Sequence, residues 1–507
     1  MNLTNLLVFI IYLIVILFLI YRNNFFGLFK DDAVSSKTFT FLFLLKAIAV
    51  PAFYFVYKKM YGGLEKFDAG KFYADATVLN DYAKADFFGY LKVLFGLQDE
   101  SPRTVFFNDY LIHTNNWDNG RLKDFLYNDN RIVIRVHSLI HFIAFNSYHV
   151  HALFSSFLSF IGLTYLYKSI KQFFVGKEIF VLLIICLLPA LWFYTGAVLK
   201  EGLAIFVLGG MLYGMKNIFL KQHSILSITG LLFLIFIAML LKPYLLFFAA
   251  IYFMLFFLLA NAHKLKYKSL VMISVLGAVF FAVNSLSIVF KKSSLLQAAI
   301  THQRVFADAS QGGIFLLDSV KFVRLEFDSS LVKKIINKPT YFTINKNAPF
   351  IYWEHSNQQD TLYNKANSDT LTQYKLVYQL PKSGSNIVID FSSTNLFGIS
   401  ASCLYYSLLH PFFFNSKSLL QHLASLENLF IVISLIICCI GFIQNKKAGF
   451  PAFAFVLFAL LLCLLIGITT PNSGAIFRYR SPAVIFILLA ALYYLPIPKN
   501  RHTPISN

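Results

Sequence analysis

WFYTGAVLKEGLAIF, residues 192–206, places Lys200 beside Glu201 within a long run of otherwise apolar residues. An ionised side chain in hydrocarbon costs several kcal/mol, so the pair belongs either to a membrane surface or to a functional site. Of the 507 residues, 58% are hydrophobic and only 13% are charged, a composition that excludes a soluble globular protein of this length. The sequence therefore predicts an all-α polytopic membrane protein.

The basic excess of the chain is explained by membrane topology. The formal net charge is +20, from 44 Lys and Arg against 24 Asp and Glu, but the basic residues fall in short clusters between apolar segments. This arrangement is typical of cytoplasmic loops, so no nucleic-acid partner is predicted. The five cysteines lie mostly within apolar stretches and lack metal-ligand spacing, so no disulfide framework is expected.

Eleven stretches reach the roughly 17 to 25 apolar residues that a helical span needs. The first is predicted to be a retained span, because it has neither a basic leader nor a small-residue cleavage site. The predicted spans cover residues 3–21, 38–57, 149–167, 178–197, 200–216, 224–241, 243–262, 269–290, 427–444, 449–469 and 479–496. Basic clusters follow the first, third, fifth, seventh, ninth and eleventh predicted spans. Because basic residues concentrate in cytoplasmic loops, this alternation predicts an outer N-terminus and a cytoplasmic C-terminus.

Two long polar segments then fall on the outer side. The predicted organisation is two N-terminal spans (1–57), an extracytoplasmic segment with interfacial helices (58–148), a six-span core (149–290), an extracytoplasmic domain (291–426) and three C-terminal spans with a cytoplasmic tail (427–507). Alternating apolar and polar residues between turn residues predict a small β-containing domain within 291–426. Residues 397–414 are interpreted as a re-entrant or interfacial helix, and residues 132–147 as a helix along the membrane surface.

The unusual ionisable residues gather at the outer face under this topology. They are Asp68, Asp75, Arg131, Arg135, Lys200, Glu201, Lys242, Glu427, Arg478 and Arg480, with Tyr244 two residues after Lys242. Arginines and lysines at helix ends suit phosphate, and a nearby carboxylate could take a proton from an attacking hydroxyl. These groups are the ones needed to transfer a sugar from a polyprenyl-phosphate or polyprenyl-pyrophosphate donor. No nucleotide-binding or hydrolase motif appears in the sequence.

Several motifs resemble those of bacterial surface-polysaccharide membrane proteins related to GT-C-fold glycosyltransferases and polysaccharide polymerases. They are FDAGKFYADA (67–76), LPALWFYTGAVLKEGLAIF (188–206), LLKPYLLF (240–247), SLENLF (425–430) and SGAIFRYRSPAVIFILLAAL (473–492), and Arg131 and Arg135 lie between the first two. The resemblance spans most of the chain outside 291–396. It implies a GT-C-like enzyme of the bacterial inner (cytoplasmic) membrane that acts in surface glycan assembly at the periplasmic face.

The resemblance also implies roles for individual residues. An acidic residue of the first outer loop acts near the acceptor in such enzymes, which points to Asp68 and then Asp75 as catalytic residues. Arg478 and Arg480 are similar to a basic motif that meets lipid phosphate, with Lys242, Arg131 and Arg135 as further phosphate ligands and Lys200, Glu201, Tyr244 and Glu427 as pocket-shaping residues. In the family the acid follows the first span, whereas Asp68 follows the second predicted span. Either the first helix is an addition, or the analogy fails there and the polymerase alternative is favoured.

Other interpretations stay open at the level of sequence. The expected partners are a polyprenyl-linked sugar donor, a glycan, lipid or protein acceptor, and membrane lipids. A transporter of a lipid-linked glycan or anionic solute is an alternative, as is a scaffold whose envelope-complex partners dock on residues 291–426. Each charged residue could instead be a surface pair, a solvated helix face or a headgroup anchor.

No cofactor is evident, and a requirement for a divalent cation is left open. Four histidines, at 137, 141, 149 and 151, have spacing that invites a metal site. They lack a nearby cysteine or a clear acidic partner, so we expect interfacial histidines and predict no metal site.

Overall fold

The computed structural model describes residues 3–22, 27–100, 104–117, 129–222, 224–242, 244–260, 396–412, 419–444, 450–470 and 472–496, with Ile387, Phe414, Ser416 and the strands between residues 313 and 380. The predicted span at 269–290, most of the connections within 291–426 and the C-terminal tail lie outside the described residues.

Helices make up most of the described chain. The first group is α1 (Leu3–Tyr21), α2 (Ser36–Ala47), α3 (Ala49–Met60), α4 (Asp68–Ala85), α5 (Phe87–Phe95), α6 (Asp129–Ala144), α7 (Tyr148–Ile170), α8 (Glu178–Leu187) and α9 (Pro189–Tyr194). The second is α10 (Lys200–Phe219), α11 (Ile225–Leu241), α12 (Tyr244–Ala260), α13 (Leu396–Leu408), α14 (Leu419–Gln444), α15 (Phe450–Thr469), α16 (Ser473–Tyr479) and α17 (Ser481–Tyr494).

Six helical segments of the described chain are long and apolar enough to cross a membrane. They are Leu3–Tyr21, Ser36–Met60, Tyr148–Phe173, Lys200–Phe219, Leu420–Gln444 and Phe450–Thr469, and the pair α16 and α17, bent by 53°, makes a seventh if it counts as one span. The protein is therefore a multi-pass α-helical membrane protein. The count of eleven spans and the direction of insertion stay predictions.

The predicted span at 178–197 is interrupted in the structure. Helix α8 ends at Leu187 and α9 begins at Pro189, with Leu188 between them at ψ 119°. A proline restricts the preceding residue to extended conformations, which explains the break at Leu188. Residues 397–414, interpreted as a re-entrant or interfacial helix, contain α13, whose 13 residues are too few for a span.

Helix α7 lies at the centre of the bundle and packs most closely against α10. Glycines permit this approach. A Cβ on Gly162 would lie 2.3 Å from the Ile205 carbonyl oxygen, and one on Gly209 would lie 1.9 Å from the Gly162 carbonyl oxygen. Both distances are too short for any side chain, so the two backbones are in direct contact, as is common for small residues between membrane helices.

Strands occur where the sequence alternates. They are β1 (Gly313–Leu316), β2 (Arg324–Glu326), β3 (Val332–Lys334), β4 (Tyr341–Asn345), β5 (Pro349–Trp353), β6 (Gln359–Tyr363) and β7 (Tyr374–Leu380), in the sheet order β3-β4-β7-β1-β2-β5-β6. Every recorded pairing is antiparallel, as in β5 with β6 and in β4 with β7. That these strands form a domain outside the membrane stays a prediction.

Candidate functional site

Two lysines from different helix ends share one carboxylate. The Lys200 Nζ, at the first residue of α10, lies 2.6 Å from the Asp129 Oδ1, and the Lys242 Nζ, just after α11, lies 3.4 Å from the Asp129 Oδ2. The three side chains are only 13% to 30% exposed. Burial alone would raise the pKa of Asp129, but the two ammonium groups outweigh that effect and hold the pKa below its usual value. One carboxylate thus lies between two ammonium groups that come from different helix ends.

Arg478 and Glu201 form a second ion pair. The Arg478 Nη2 lies 2.6 Å from the Glu201 Oε1, and the Arg478 Nε donates to the same oxygen at 2.8 Å. The second oxygen, Oε2 of Glu201, is buried and accepts no hydrogen bond from the described residues. Because a buried carboxylate oxygen without a donor is costly, this atom is a candidate acceptor for a ligand hydroxyl or amide.

Tyr479 connects the two groups of charges. The Lys242 Nζ lies 3.4 Å from the Tyr479 hydroxyl oxygen and 4.5 Å from the centre of its ring. The Arg478 guanidinium lies 6.0 Å from the same ring and 5.5 Å from the ring of Tyr194. Cations over aromatic faces keep their charge at low desolvation cost. The cluster formed by Asp129, Lys200, Glu201, Lys242, Arg478 and Tyr479 is called the cation cluster below.

Asp68 lies at the edge of the cation cluster. It is the first residue of α4, it is exposed, and its charge is close enough to act on Arg478. Tyr57 and Tyr61 of the neighbouring segment contact Phe67 at ring distances of 4.8 Å and 5.9 Å. The Asp68 carboxylate is therefore exposed and near the Arg478 guanidinium, and its role as the catalytic acid stays a prediction.

Arg480 occupies a different environment from Arg478. Its guanidinium is completely buried, donates to the Ser407 and Leu408 carbonyl oxygens and to the Asn428 Oδ1, and lies 3.4 Å from the Glu427 Oε1. Glu427 also accepts from the backbone N–H of Ala190 at 3.1 Å. These contacts join α13, α14 and α9 to the start of α17. They argue against the predicted phosphate contact for Arg480 and against an open pocket position for Glu427.

Asp75 is likewise structural in its contacts. Its buried carboxylate accepts from the backbone N–H groups of Asn115, Asn116 and Trp117 at 2.6 Å to 3.0 Å. Burial raises the pKa of Asp75, and these amide donors oppose the shift. Asp75 lies on α4 seven residues after Asp68, but its carboxylate is used to hold the segment 115–117. A direct catalytic role for Asp75 is therefore not favoured by the geometry.

The two predicted arginines of α6 both lie close to the ring of Trp117. Their guanidinium carbons are 5.0 Å (Arg131) and 5.1 Å (Arg135) from its ring centre. Arg131 makes a two-point ion pair with Glu100, at 2.7 Å and 2.9 Å, so this guanidinium is already paired. Arg135 donates through Nε to the Val93 carbonyl oxygen at 3.0 Å. Burial lowers the pKa of Arg135 to about 10, which leaves it cationic at neutral pH.

The histidines form a buried chain between α6 and α7. The His137 Nδ1 lies 3.2 Å from the His151 Nδ1, and the His151 Nε2 lies 3.2 Å from the His141 Nδ1. The His141 Nε2 lies 2.7 Å from the Asn146 Oδ1. His151 thus presents different nitrogens to its two neighbours. His137, His141 and His151 are buried, so these three are not the surface or interfacial histidines that the sequence predicts. Among the described residues, no group of side chains could hold a metal ion.

Sequence reasoning identified most of the cation cluster but missed Asp129. The helix ends bring Lys200, Glu201, Lys242 and Arg478 together, as the shared depth of these residues predicts. Asp129 opens α6, and its only sequence signal is an acidic residue at a helix start. Tyr244 opens α12, and its side chain lies outside the described part of the structure.

No protein-family model, curated protein or solved structure matches this chain. The resemblance to polysaccharide-assembly enzymes therefore stays a prediction.

Proposed function

We propose that the protein is an integral-membrane glycosyltransferase that uses a polyprenyl-phosphate- or pyrophosphate-linked sugar, in a GT-C-like fold of about eleven spans. In this proposal the cation cluster faces the periplasm, the N-terminus is outside and the C-terminus is cytoplasmic. The strands between 313 and 380 belong to an extracytoplasmic domain. A polysaccharide polymerase catalyses the same sugar transfer repeatedly on a growing acceptor, so it is an alternative within this proposal.

The observation that carries the proposal is the sharing of Asp129 by Lys200 and Lys242. A polyprenyl phosphate reaches a protein from the membrane with its charge at headgroup level. Two partly buried ammonium groups from two helix ends can contact that anion together, and Tyr479 links them to the Arg478 guanidinium.

The chemistry follows from the positions of the charged groups. The acceptor oxygen attacks the anomeric carbon of the sugar, the bond from that carbon to the phosphate oxygen breaks, and the electron pair leaves with the lipid phosphate. Asp68 takes the acceptor proton, and Lys200 and Lys242 stabilise the negative charge of the leaving group. Arg478 holds Glu201, whose Oε2 has no donor among the described residues and accepts from a substrate hydroxyl.

The first experiment measures lipid binding. Purified protein in nanodiscs is titrated with undecaprenyl phosphate, and with undecaprenol as the ligand that lacks the anion. The double variant Lys200→Gln, Lys242→Gln should lose at least tenfold in affinity for the phosphate, because each lost charge contact is worth about 1.5 kcal/mol or more. Lys59→Gln, a matched change of an exposed lysine at the end of α3, should bind like the unmodified protein. Equal affinity for the phosphate and the alcohol would refute the anion site.

The second experiment measures glycan extension in cells that depend on the protein. Asp68→Ala and Arg478→Ala should each abolish extension while the protein remains folded and inserted. Normal extension in both variants would exclude the proposed enzyme. Loss of extension with retained lipid binding in Asp68→Ala alone would separate the chemical step from binding.

A further inference from the structure

Helices α5 and α6 expose large apolar side chains although neither meets the criteria for a span. On α5, Phe88 is 77% exposed and Phe95 is 76% exposed. On α6, Leu139, Phe142 and Ile143 are 46% to 51% exposed. Positions 139, 142 and 143 lie three and four residues apart and therefore form one helical face. Water is an unfavourable environment for this much contiguous apolar surface.

The exposed faces of the two helices form one surface. Tyr90 of α5 donates to or accepts from the Ser138 hydroxyl of α6 at 2.9 Å, and its ring contacts Phe142 at a centroid distance of 5.8 Å. Phe87 lies on the other side of Tyr90, at 6.4 Å. Phe88 contacts Phe87 at the same distance. We call this set of exposed side chains on α5 and α6 the phenylalanine face.

The phenylalanine face continues onto a membrane span. The Tyr12 hydroxyl of α1 donates to the Ile143 carbonyl oxygen at 2.7 Å. Tyr12 is the tenth residue of α1, about 14 Å along the helix axis from its start. The lipid-facing side chains of α1 include Ile11, which is 59% exposed. The C-terminal end of α6 therefore lies beside the middle of a span, and not beside its end.

Polar groups on α6 turn away from this surface. His137, Ser138 and His141 are buried on the opposite side and are linked to protein partners. Arg135 donates to the Val93 carbonyl oxygen. Lys92, on the exposed side of α5, has a side chain long enough to carry its charge to the headgroups. Internal pairing of His137, Ser138 and His141 beside an apolar surface suits a helix that lies in lipid.

We propose that the phenylalanine face is inserted among the acyl chains of the leaflet nearest the α6–α7 turn, with lipid as its partner. The outer faces of α5 and α6 then lie in the membrane, whereas the exposed side of α4 stays in water. This inference goes beyond the proposed function and does not depend on it, because it holds for any protein with these contacts.

Spin labels test the proposal in full-length protein reconstituted in phosphatidylethanolamine and phosphatidylglycerol vesicles. The background carries Cys439→Ser, because Cys439 is the exposed cysteine of the described chain. Labels at Phe88→Cys and Phe142→Cys should collide severalfold more often with oxygen than with a water-soluble nickel chelate. A label at Ile11→Cys on α1 is the lipid reference, and one at Lys84→Cys is the water reference, since the Lys84 side chain is 62% exposed.

Three outcomes decide the question. Labels that behave like the one at residue 11 support insertion. Labels that behave like the one at residue 84 overturn it, and labels shielded from both reagents also overturn it, because a protein partner then covers the face. Phe95→Cys replaces either variant that fails to elute as a folded species, so the test does not depend on one substitution.

Discussion

Replacing Arg480 should destabilise the protein, because its guanidinium is buried with a carboxylate. Arg480→Gln removes donors to two backbone carbonyl oxygens and leaves Glu427, whose side chain is 1% exposed, without its cation. Breaking a buried ion pair from one side costs about 3–5 kcal/mol. The double variant Arg480→Gln, Glu427→Gln leaves no unpaired charge and should lose less than the sum of the two single variants.

Unfolding by sodium dodecyl sulfate, followed by tryptophan fluorescence, measures these free energies. The control is Lys84→Gln, which breaks an ion pair whose side chains are 62% and 53% exposed and should cost about 1 kcal/mol or less. A stable Arg480→Gln variant with weakened binding of undecaprenyl phosphate would refute this reasoning and restore the sequence prediction that Arg480 binds lipid phosphate.

Three further changes test the packing and the buried polar groups. Gly209→Ala should destabilise the bundle by forcing α7 and α10 apart, whereas Gly230→Ala, with nothing within 4 Å of the added Cβ, should be neutral or slightly stabilising in the same unfolding assay. Asp75→Asn should increase hydrogen exchange at residues 115–117, because an amide oxygen accepts less strongly than a carboxylate. Burial lowers the pKa of His137 from 6.5 to about 3. As pH falls below 6.5, His137 therefore binds a proton in the unfolded chain and remains neutral in the folded chain. His137 alone should then lower the free energy of unfolding by about 1.4 kcal/mol per pH unit as pH falls from 6.5 toward 3. Because burial also lowers the pKa of His141, His137→Asn should reduce the measured slope without abolishing it.

Hydrophobic runs predicted the membrane class and the approximate position of most described helices. The length of an apolar run does not predict where its helix is interrupted. Residues 179–194 within the run at 178–197 carry no charge, yet Pro189 divides the run. Helix α14 begins at Leu419, ahead of the run predicted from 427. Hydropathy measures transfer to lipid and is insensitive to backbone geometry, which is why such interruptions are not visible as changes in apolar content.

The candidate site was predictable in location but not in its pairings. The predicted topology places Lys200, Lys242 and Arg478 in short turns at the same face of the membrane. Residues at the same membrane depth can meet, and in the structure these three do. The choice of partner is a tertiary property. Lys200 and Glu201 are adjacent in sequence, yet Lys200 pairs with Asp129 and Glu201 pairs with Arg478. Neighbours at the start of a helix point about 100° apart, so adjacency does not make them partners.

Arg478 and Arg480 show how one short motif can contribute both to a buried ion pair and to the proposed anion site. Helix α16 ends between them in a bend of 53°, which sends Arg480 inward to Glu427 and leaves Arg478 beside Glu201. Glu427 also accepts from Ala190 in α9, and α9 carries Tyr194, whose ring lies 5.5 Å from the Arg478 guanidinium. The buried pair therefore fixes the aromatic surface against which the outer arginine is held. It follows that Glu427→Gln should disturb ligand binding through Tyr194 even though Glu427 itself is too deeply buried to touch a ligand.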